Sequence, residues 1–314
     1  MSGRAIIVTG SLNMDFVVQV ERLPAPGETA RGSNFQTIPG GKGANQACAA
    51  ARLARSNPVL MIGRVGYDAF ADHLRASLAA AGVDTSRIHG CRRAPTGVAL
   101  IWVDRAGQNS IVIAPGANDE LEPADLETER QAFVSAACAL FQLETPLETV
   151  AAGLRLARAG GALSILDPAP ARPLPGEMLA LVDLLTPNET EACLLAGRQP
   201  GRITAAEAPE LAAALRRLGP RAVLLKLGDQ GCYYSGPEGE WHAAAFPVQA
   251  VDSTAAGDTF NGALAVALAE GRTVPEALRF ANAAAALSVT RLGAQASIPS
   301  REETGRFLGQ QPQC

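Results

Sequence analysis

The 314-residue sequence predicts an α/β fold of the doubly wound kind, a mostly parallel sheet flanked by helices. Three observations predict it. Short, near-continuous apolar runs recur along the chain, as in strands covered on both faces. Helical patterns lie between them, the alternation that right-handed crossovers produce. Two strand pairs have no helix between their members, which predicts a small β-sheet projecting from the body, able to serve as a lid, a dimer surface or both.

The apolar runs predict strands at 5–9, 59–62, 139–143, 163–166, 181–186 and 222–227. Helical patterns cover 44–54, 69–81, 147–159, 189–196 and 205–218, with two long ones at 257–270 and 274–290. Gly160-Gly161, Gly219-Pro220 and Gly271 are the expected helix stops. The lid pairs are 16–20 with 29–35, joined by a Pro- and Gly-rich turn, and 97–103 with 109–113, joined by 104–108. No repeat or linker interrupts the chain. It reads as a single domain, 1–314, with a lid formed by about 16–36 and 97–113.

Composition narrows the function. Lys and Arg number 27 against 31 Asp and Glu, a net charge of −4, and no basic block exists to neutralise a run of phosphates. A nucleic-acid partner is not expected. Apolar stretches such as 137–143 and 283–289 are far shorter than the ~20 residues of a membrane-spanning helix, so no membrane partner is expected either. The first ten residues read as a strand leading to Gly10, not a signal peptide. Six cysteines, Cys48, Cys91, Cys138, Cys193, Cys232 and Cys314, include no CxxC pair, and the expectation is a reduced, cytoplasmic protein. His73, His89 and His242 stand alone, with nothing marking a triad base.

The richest segment is Asp252-Ser253-Thr254-Ala255-Ala256-Gly257-Asp258. A strand is expected to end near Val251, followed by a small-residue turn and a helix from about Gly257. Small residues admit a ligand close to the backbone, and the first helical turn offers unpaired N–H groups with about half a positive charge. Asp258 beside them is a candidate general base; as a first-turn acid it also complements the helix dipole. A second segment, Gly40-Gly41-Lys42-Gly43-Ala44-Asn45, is a polar cradle or a simple Gly-rich turn, but not a Walker A loop, since Gly43 follows Lys42. Asn13 and Asp15 alternate after the first strand and can face one ligand. Asn188 and Glu191 fit a helix capping box or a Mg²⁺ water shell. Gly228-Asp229-Gln230-Gly231 after Lys226 is a loop able to touch a nucleotide. A nicotinamide dehydrogenase is excluded, because Gly10-Ser11-Leu12-Asn13 is not GxGxxG.

Together these segments resemble the ribokinase branch of the phosphofructokinase-B sugar-kinase family, from Gly10 to about Arg301. The family motif reads DTxGAGD, from which Ser253 and Ala255 depart; Ala255 is familiar in this branch. The resemblance implies a ribokinase-like fold and ATP-dependent phosphorylation of D-ribose at the 5-hydroxyl. It implies Asp258 as general base and Ala255, Ala256 and Gly257 as an anion hole. It implies Asn13, Asp15, Gly40, Gly41, Lys42, Asn45, Glu144 and Asp258 around the sugar. Asn188, Glu191, Lys226, Gly228, Asp229, Gly231, Gly257 and Asn282 would line the nucleotide side, with Lys226 and Asn282 departing from the Thr and His common there. It implies Mg²⁺ with ATP, held through water by Glu191, and K⁺ or another monovalent cation at Asp252, Thr254, Ser288, Arg291, Gly293 and Ser297. A homodimer through the lid sheet is implied as well. The alternative is the same transfer to 2-deoxyribose, fructose or a nucleoside; a non-catalytic sensor would keep the fold without turnover.

Overall fold

A computed structural model describes residues 3–105 and 107–312. Cys314 lies outside them, as does Ala106 in the expected lid turn. The chain opens with β1 (Ala5–Thr9), β2 (Asn13–Val20), β3 (Gly32–Gly40) and α1 (Lys42–Leu53). It continues through β4 (Val59–Val65), α2 (Ala69–Ala80), β5 (Val83–Asp84), β6 (Ile88–Gly90), β7 (Gly97–Val103) and β8 (Asn109–Ala114). Next come α3 (Pro123–Thr128), α4 (Arg130–Ser135), β9 (Ala136–Phe141), α5 (Leu147–Gly160), β10 (Leu163–Leu166) and α6 (Gly176–Leu179). Then follow β11 (Leu184–Leu185), α7 (Glu189–Leu195), α8 (Ala208–Arg216), β12 (Ala222–Lys226), β13 (Cys232–Gly236) and β14 (Gly239–Ala243). The chain closes with α9 (Ala256–Ala269), α10 (Val274–Ser288) and α11 (Arg301–Gly309).

The main sheet runs β14-β13-β12-β11-β10-β9-β1-β4-β5, with β6 paired to β4. It is parallel from β12 to β5, and only the β12–β13 and β13–β14 pairings are antiparallel. This is the doubly wound α/β architecture expected. Strand order reverses at β1, which has β4 on one side and β9 on the other, so a crevice opens at the carboxyl ends of these strands. Successive residues face opposite sides of the sheet: Ile6 and Val8 join the core under α1, α9 and α10, while Ile7 joins the core against α5 and α8.

The second sheet has the order β3-β2-β7-β8. The two strand pairs recognised in the sequence meet through parallel pairing of β2 with β7. Phe16 stacks on Phe35 and meets Phe70 of α2 edge-on, 5.4 Å between centroids, which seats this sheet against the body. Leu100, Ile111, Val112 and Ile113 stay exposed on it.

Several boundaries differ from expectation, each for a local reason. The strand expected at 29–35 is β3, which extends to Gly40 because its register pairs Asn13 with Gly40. The strand expected at 181–186 shrinks to Leu184–Leu185; Asp183 spends its carboxylate on the Ser164 N–H, replacing a ladder bond with a side chain. The helix expected from 205 starts at Ala208, with Pro209 in its first turn, where a missing N–H costs nothing. No strand ends near Val251. The 244–250 segment is irregular, and the Val251 and Asp252 N–H groups donate to the Val289 carbonyl at the end of α10. The antiparallel β13–β14 pair was not anticipated, although Gly236-Pro237-Glu238-Gly239 is a turn signal between two apolar runs.

Candidate active site

The carboxyl ends of β1, β9, β10 and β12, with the N-termini of α1 and α9, surround one cleft. Lys42, Asp167, Asn188, Glu191, Lys226 and the 255–258 turn line a cavity of about 450 Å³. A second cavity of about 460 Å³ adjoins it, lined by Phe246, Val248, Phe260, Asn282, Ala285 and Val289. Lys226, Gly228, Ser253, Ala256 and Gly257 border both.

The glycines of the 40–43 segment are there for packing. Gly41 has φ 90° and caps α1; a Cβ on it would stand 2.7 Å from the Asn13 nitrogen. A Cβ on Gly43 would stand 2.6 Å from the Gly10 carbonyl carbon, so α1 can press against the end of β1 only without one. The same close fit brings Lys42 and Asn45 to the acids. Asp258 is buried, and its oxygens accept hydrogen bonds from Asn45 Nδ2 and Gln46 Nε2, both at 3.0 Å. Burial raises its pKa to about 6 against the pull of Lys42. Asp15 is pushed up to about 7, by burial first and then by Glu144 and Asp258. Burial opposes the charge on Lys42, but Asp258, Glu144, Asp167 and Glu191 together hold its pKa above the usual lysine value. Glu144 Oε2 accepts from Ser11 Oγ at 2.5 Å and from the Lys42 N–H at 3.1 Å. Asn13 is buried, with its Oδ1 taking a 2.7 Å hydrogen bond from Asn118 Nδ2. The structure thus gathers Asn13, Asp15, Gly40, Gly41, Lys42, Asn45, Glu144 and Asp258 around one point. Three acids and one ammonium there suit a polyhydroxylated ligand.

Above Asp258, Ala255 caps α9 with φ 58° and ψ 15°, a left-handed conformation that favours glycine and costs a residue with a Cβ roughly 1–2 kcal/mol. The Ala256 N–H donates to the Ser253 carbonyl at 3.2 Å, whereas the Ala255 and Gly257 amides have no partner among the described residues. Across the cleft, Asn188 and Glu191 form the reciprocal capping box of α7. Glu191 also reaches the cleft, where burial raises its pKa against the field of Lys226. Asn282 Nδ2 donates to the Ala243 and Ala244 carbonyls, fixing the irregular segment that walls the second cavity. Gly228 and Gly231 border that cavity; the Asp229 carboxylate is turned to Arg202 at 2.5 Å.

The two loops named for a monovalent cation converge. Asp252 Oδ1 accepts from the Thr254 N–H and hydroxyl, and its Oδ2 accepts from the Gly293 N–H at 2.8 Å. Ser288 and Ser297 donate their hydroxyls to the carbonyls of Ala285 and Ala294, and Arg291 is paired with Glu303 at 2.6 Å. Among the described residues, no group of three or more His, Cys, Asp or Glu could cage a metal ion.

Sequence reasoning missed Gln46, Asp167 and Asn118. Asp167 follows the last residue of β10 in Leu166-Asp167-Pro168, a lone acid after an apolar run, and that position just past the strand was its available signal. Gln46 is neighbour to the named Asn45, and nothing in the spacing distinguishes it from a helix-face residue. No helix of the described residues is long and apolar enough to cross a membrane.

Comparison with known proteins agrees with this fold. Residues 4–301 match the family model described as pfkB family carbohydrate kinase. The chain is 42% identical over 305 residues to a ribokinase of Haemophilus influenzae, covering 97% of this chain and 98% of that protein. It is 43% identical over 305 residues to a ribokinase of Bacillus subtilis, covering 97% and 99%. The structure of Arabidopsis thaliana ribokinase complexed with ribose and ATP superposes with a TM-score of 0.90 at 36% identity, covering 98% of this chain and 99% of that one. The match spans both strand pairs of the second sheet and the α9 turn, and the chain belongs to the pfkB family of carbohydrate kinases.

Proposed function

We propose that this sugar kinase transfers the terminal phosphoryl group of ATP to the 5-hydroxyl of D-ribose, giving D-ribose 5-phosphate and ADP. One observation carries the reading: Asp258 stands at the first turn of α9, with free backbone amides above it and the Asp15–Lys42–Glu144 group beside it. The sugar is held by Asn13, Asp15, Asn45 and Glu144, with Lys42 balancing the acids. Asp258 takes the proton of the attacking hydroxyl, and the Ala255 and Gly257 amides receive the charge that moves onto the phosphoryl oxygens. ATP lies with its base in the Phe246–Ala285 cavity and its phosphates toward Gly228 and Gly257. The fit of ribose and ATP is supported by the ribokinase relatives and by the Arabidopsis complex.

The donors present suit a Mg²⁺ that arrives on ATP, since Glu191 offers one carboxylate, its oxygens shared with the Asn188 cap. Such an ion neutralises phosphate charge. Asp252 and the carbonyls of the two converging loops suit a monovalent cation, which would steady the anion-hole turn next to them. The chain acts as one domain with its lid, and the exposed Ile111–Ile113 stripe supports pairing of two lids in a homodimer. The five described cysteines are free and buried, in keeping with a reducing cytoplasm.

The deciding experiment is ADP release across ribose, 2-deoxyribose, fructose, adenosine and uridine, with Mg²⁺ and with K⁺ or Na⁺. Ribose should give the largest kcat/KM. A larger value for another acceptor overturns ribose; binding of ribose with no turnover on any acceptor overturns the kinase assignment in favour of a sensor.

A further inference from the structure

Lys226 closes β12 at the point where the two cavities meet. Its Nζ lies 2.9 Å from Asp167 Oδ1 and 3.4 Å from where a Cβ on Gly257 would stand, directly over the α9 turn. The pair is nearly closed to solvent, its side chains 12% and 3% exposed. The other Asp167 oxygen accepts from Gln46 Nε2 at 2.9 Å, the same nitrogen that donates to Asp258 Oδ1 at 3.0 Å. Gln142 Nε2 donates to the Gln46 oxygen at 2.7 Å, which fixes the amide with its nitrogen toward the two acids. A continuous chain of contacts therefore runs Lys226–Asp167–Gln46–Asp258, from β12 through β10 and α1 to α9.

A buried ion pair gives little net stability, because desolvation consumes most of its attraction. What this one supplies is an ammonium held at a defined place beside free amides. Resting on the ribose-kinase reading above, we propose that Lys226 is a catalytic residue that touches the transferring phosphoryl group, and that Asp167 and Gln46 are positioning residues that keep it in register with Asp258. In the step itself, the acceptor oxygen bonds to phosphorus, the bond from phosphorus to the ADP oxygen breaks, and the hydroxyl proton passes to Asp258. Lys226 keeps its protons throughout. Its charge meets the negative charge that builds on the terminal and leaving oxygens, so its effect belongs to kcat. A residue that only gripped the nucleotide would act on the KM for ATP.

The test compares Lys226→Met, Lys226→Arg, Asp167→Asn and the double variant Lys226→Met/Asp167→Asn by ADP release, with D-ribose and with water as acceptor. Lys226→Met should lower kcat about 100-fold, the scale of losing one preorganised donor, with the KM for ATP nearly unchanged. Lys226→Arg should restore part of that loss. The double variant removes both charges and so leaves no unpaired buried carboxylate; it should match Lys226→Met, and it carries the measurement if the single variant does not fold. Asp167→Asn alone should also lower kcat, by about tenfold, with no further loss when Lys226 is already Met. An unchanged kcat with a raised ATP KM in the Met variants overturns the catalytic assignment. Fully additive losses at 167 and 226 overturn the positioning role of Asp167. Wild-type protein that transfers phosphate to water but not to ribose overturns the ribose reading alone, and the variants are then decided on the water reaction.

Discussion

The two halves of the cleft are built on opposite principles. The half proposed for the sugar is polar, tightly packed and cross-linked: Asp258 is hydrogen-bonded from α1, Glu144 from the β1–β2 loop and α1, and Asn13 from Asn118, all over long stretches of chain. The half proposed for the nucleotide is walled by small and apolar residues, Ala285, Val289, Phe246 and Val248, and by an irregular segment tied down at Asn282. A site that must distinguish one hydroxyl pattern from another needs fixed polar partners, because an unmatched buried group is costly. A site that accepts a flat base needs mainly shape and apolar area.

Substitutions should separate the halves. Asp258→Asn is expected to lower kcat at least ~100-fold while ribose still binds by calorimetry, since a positioned general base contributes 10²–10⁴-fold. Near-normal turnover would remove Asp258 from the mechanism. Asp15→Ala and Glu144→Gln should raise the ribose KM about tenfold with the ATP KM unchanged, the scale of leaving buried polar groups unpaired. If the ATP KM moves instead, the halves are reversed. Ala285→Phe should do the opposite, raising the ATP KM about fivefold by filling the base cavity at a cost of 1–3 kcal/mol.

Acidity sharpens the same contrast. Burial raises Asp258 to about 6 and Asp15 to about 7, so kcat/KM for ribose should climb as pH rises through 6 to 7 and then level off. The stability sign runs the other way. These acids favour the folded state fully below their unfolded values near 4, and that contribution is lost as pH rises through 6 to 7. Asp15→Asn should therefore raise the melting temperature of ligand-free protein at pH 8 and leave it little changed at pH 4; no gain at pH 8 would show that burying the Asp15 carboxylate carries no cost in the folded protein. The smallest expected effect is Ala255→Gly, which relieves a left-handed alanine and should stabilise by about 1 kcal/mol in denaturant unfolding.

Much of the fold was legible. Near-continuous apolar strands and intervening helices located six of the main-sheet strands, because burial on both faces leaves that mark in any sequence. What misled was local: a strand was expected before Val251, where an apolar run is instead anchored to the Val289 carbonyl. Short pieces such as β5, β6 and α6 left no periodicity to read.

Asp258, Asn13, Asp15, Lys42 and Asn45 stood out because each follows a strand end or opens a helix beside glycines. Asp167 and Gln46 did not, since a lone strand-end acid and one more helical glutamine are unremarkable until α1, β10 and α9 are brought together.

The sequence by itself determined the fold class, the glycine turns and the first-turn acid of α9, because strand burial, turn chemistry and helix starts each leave a mark in the local pattern. Only the tertiary structure decided that Lys226 is clamped by Asp167, that one amide bridges two acids, and that Ala255 is held left-handed. Each joins or strains groups by packing between elements, and that geometry has no signature in local spacing.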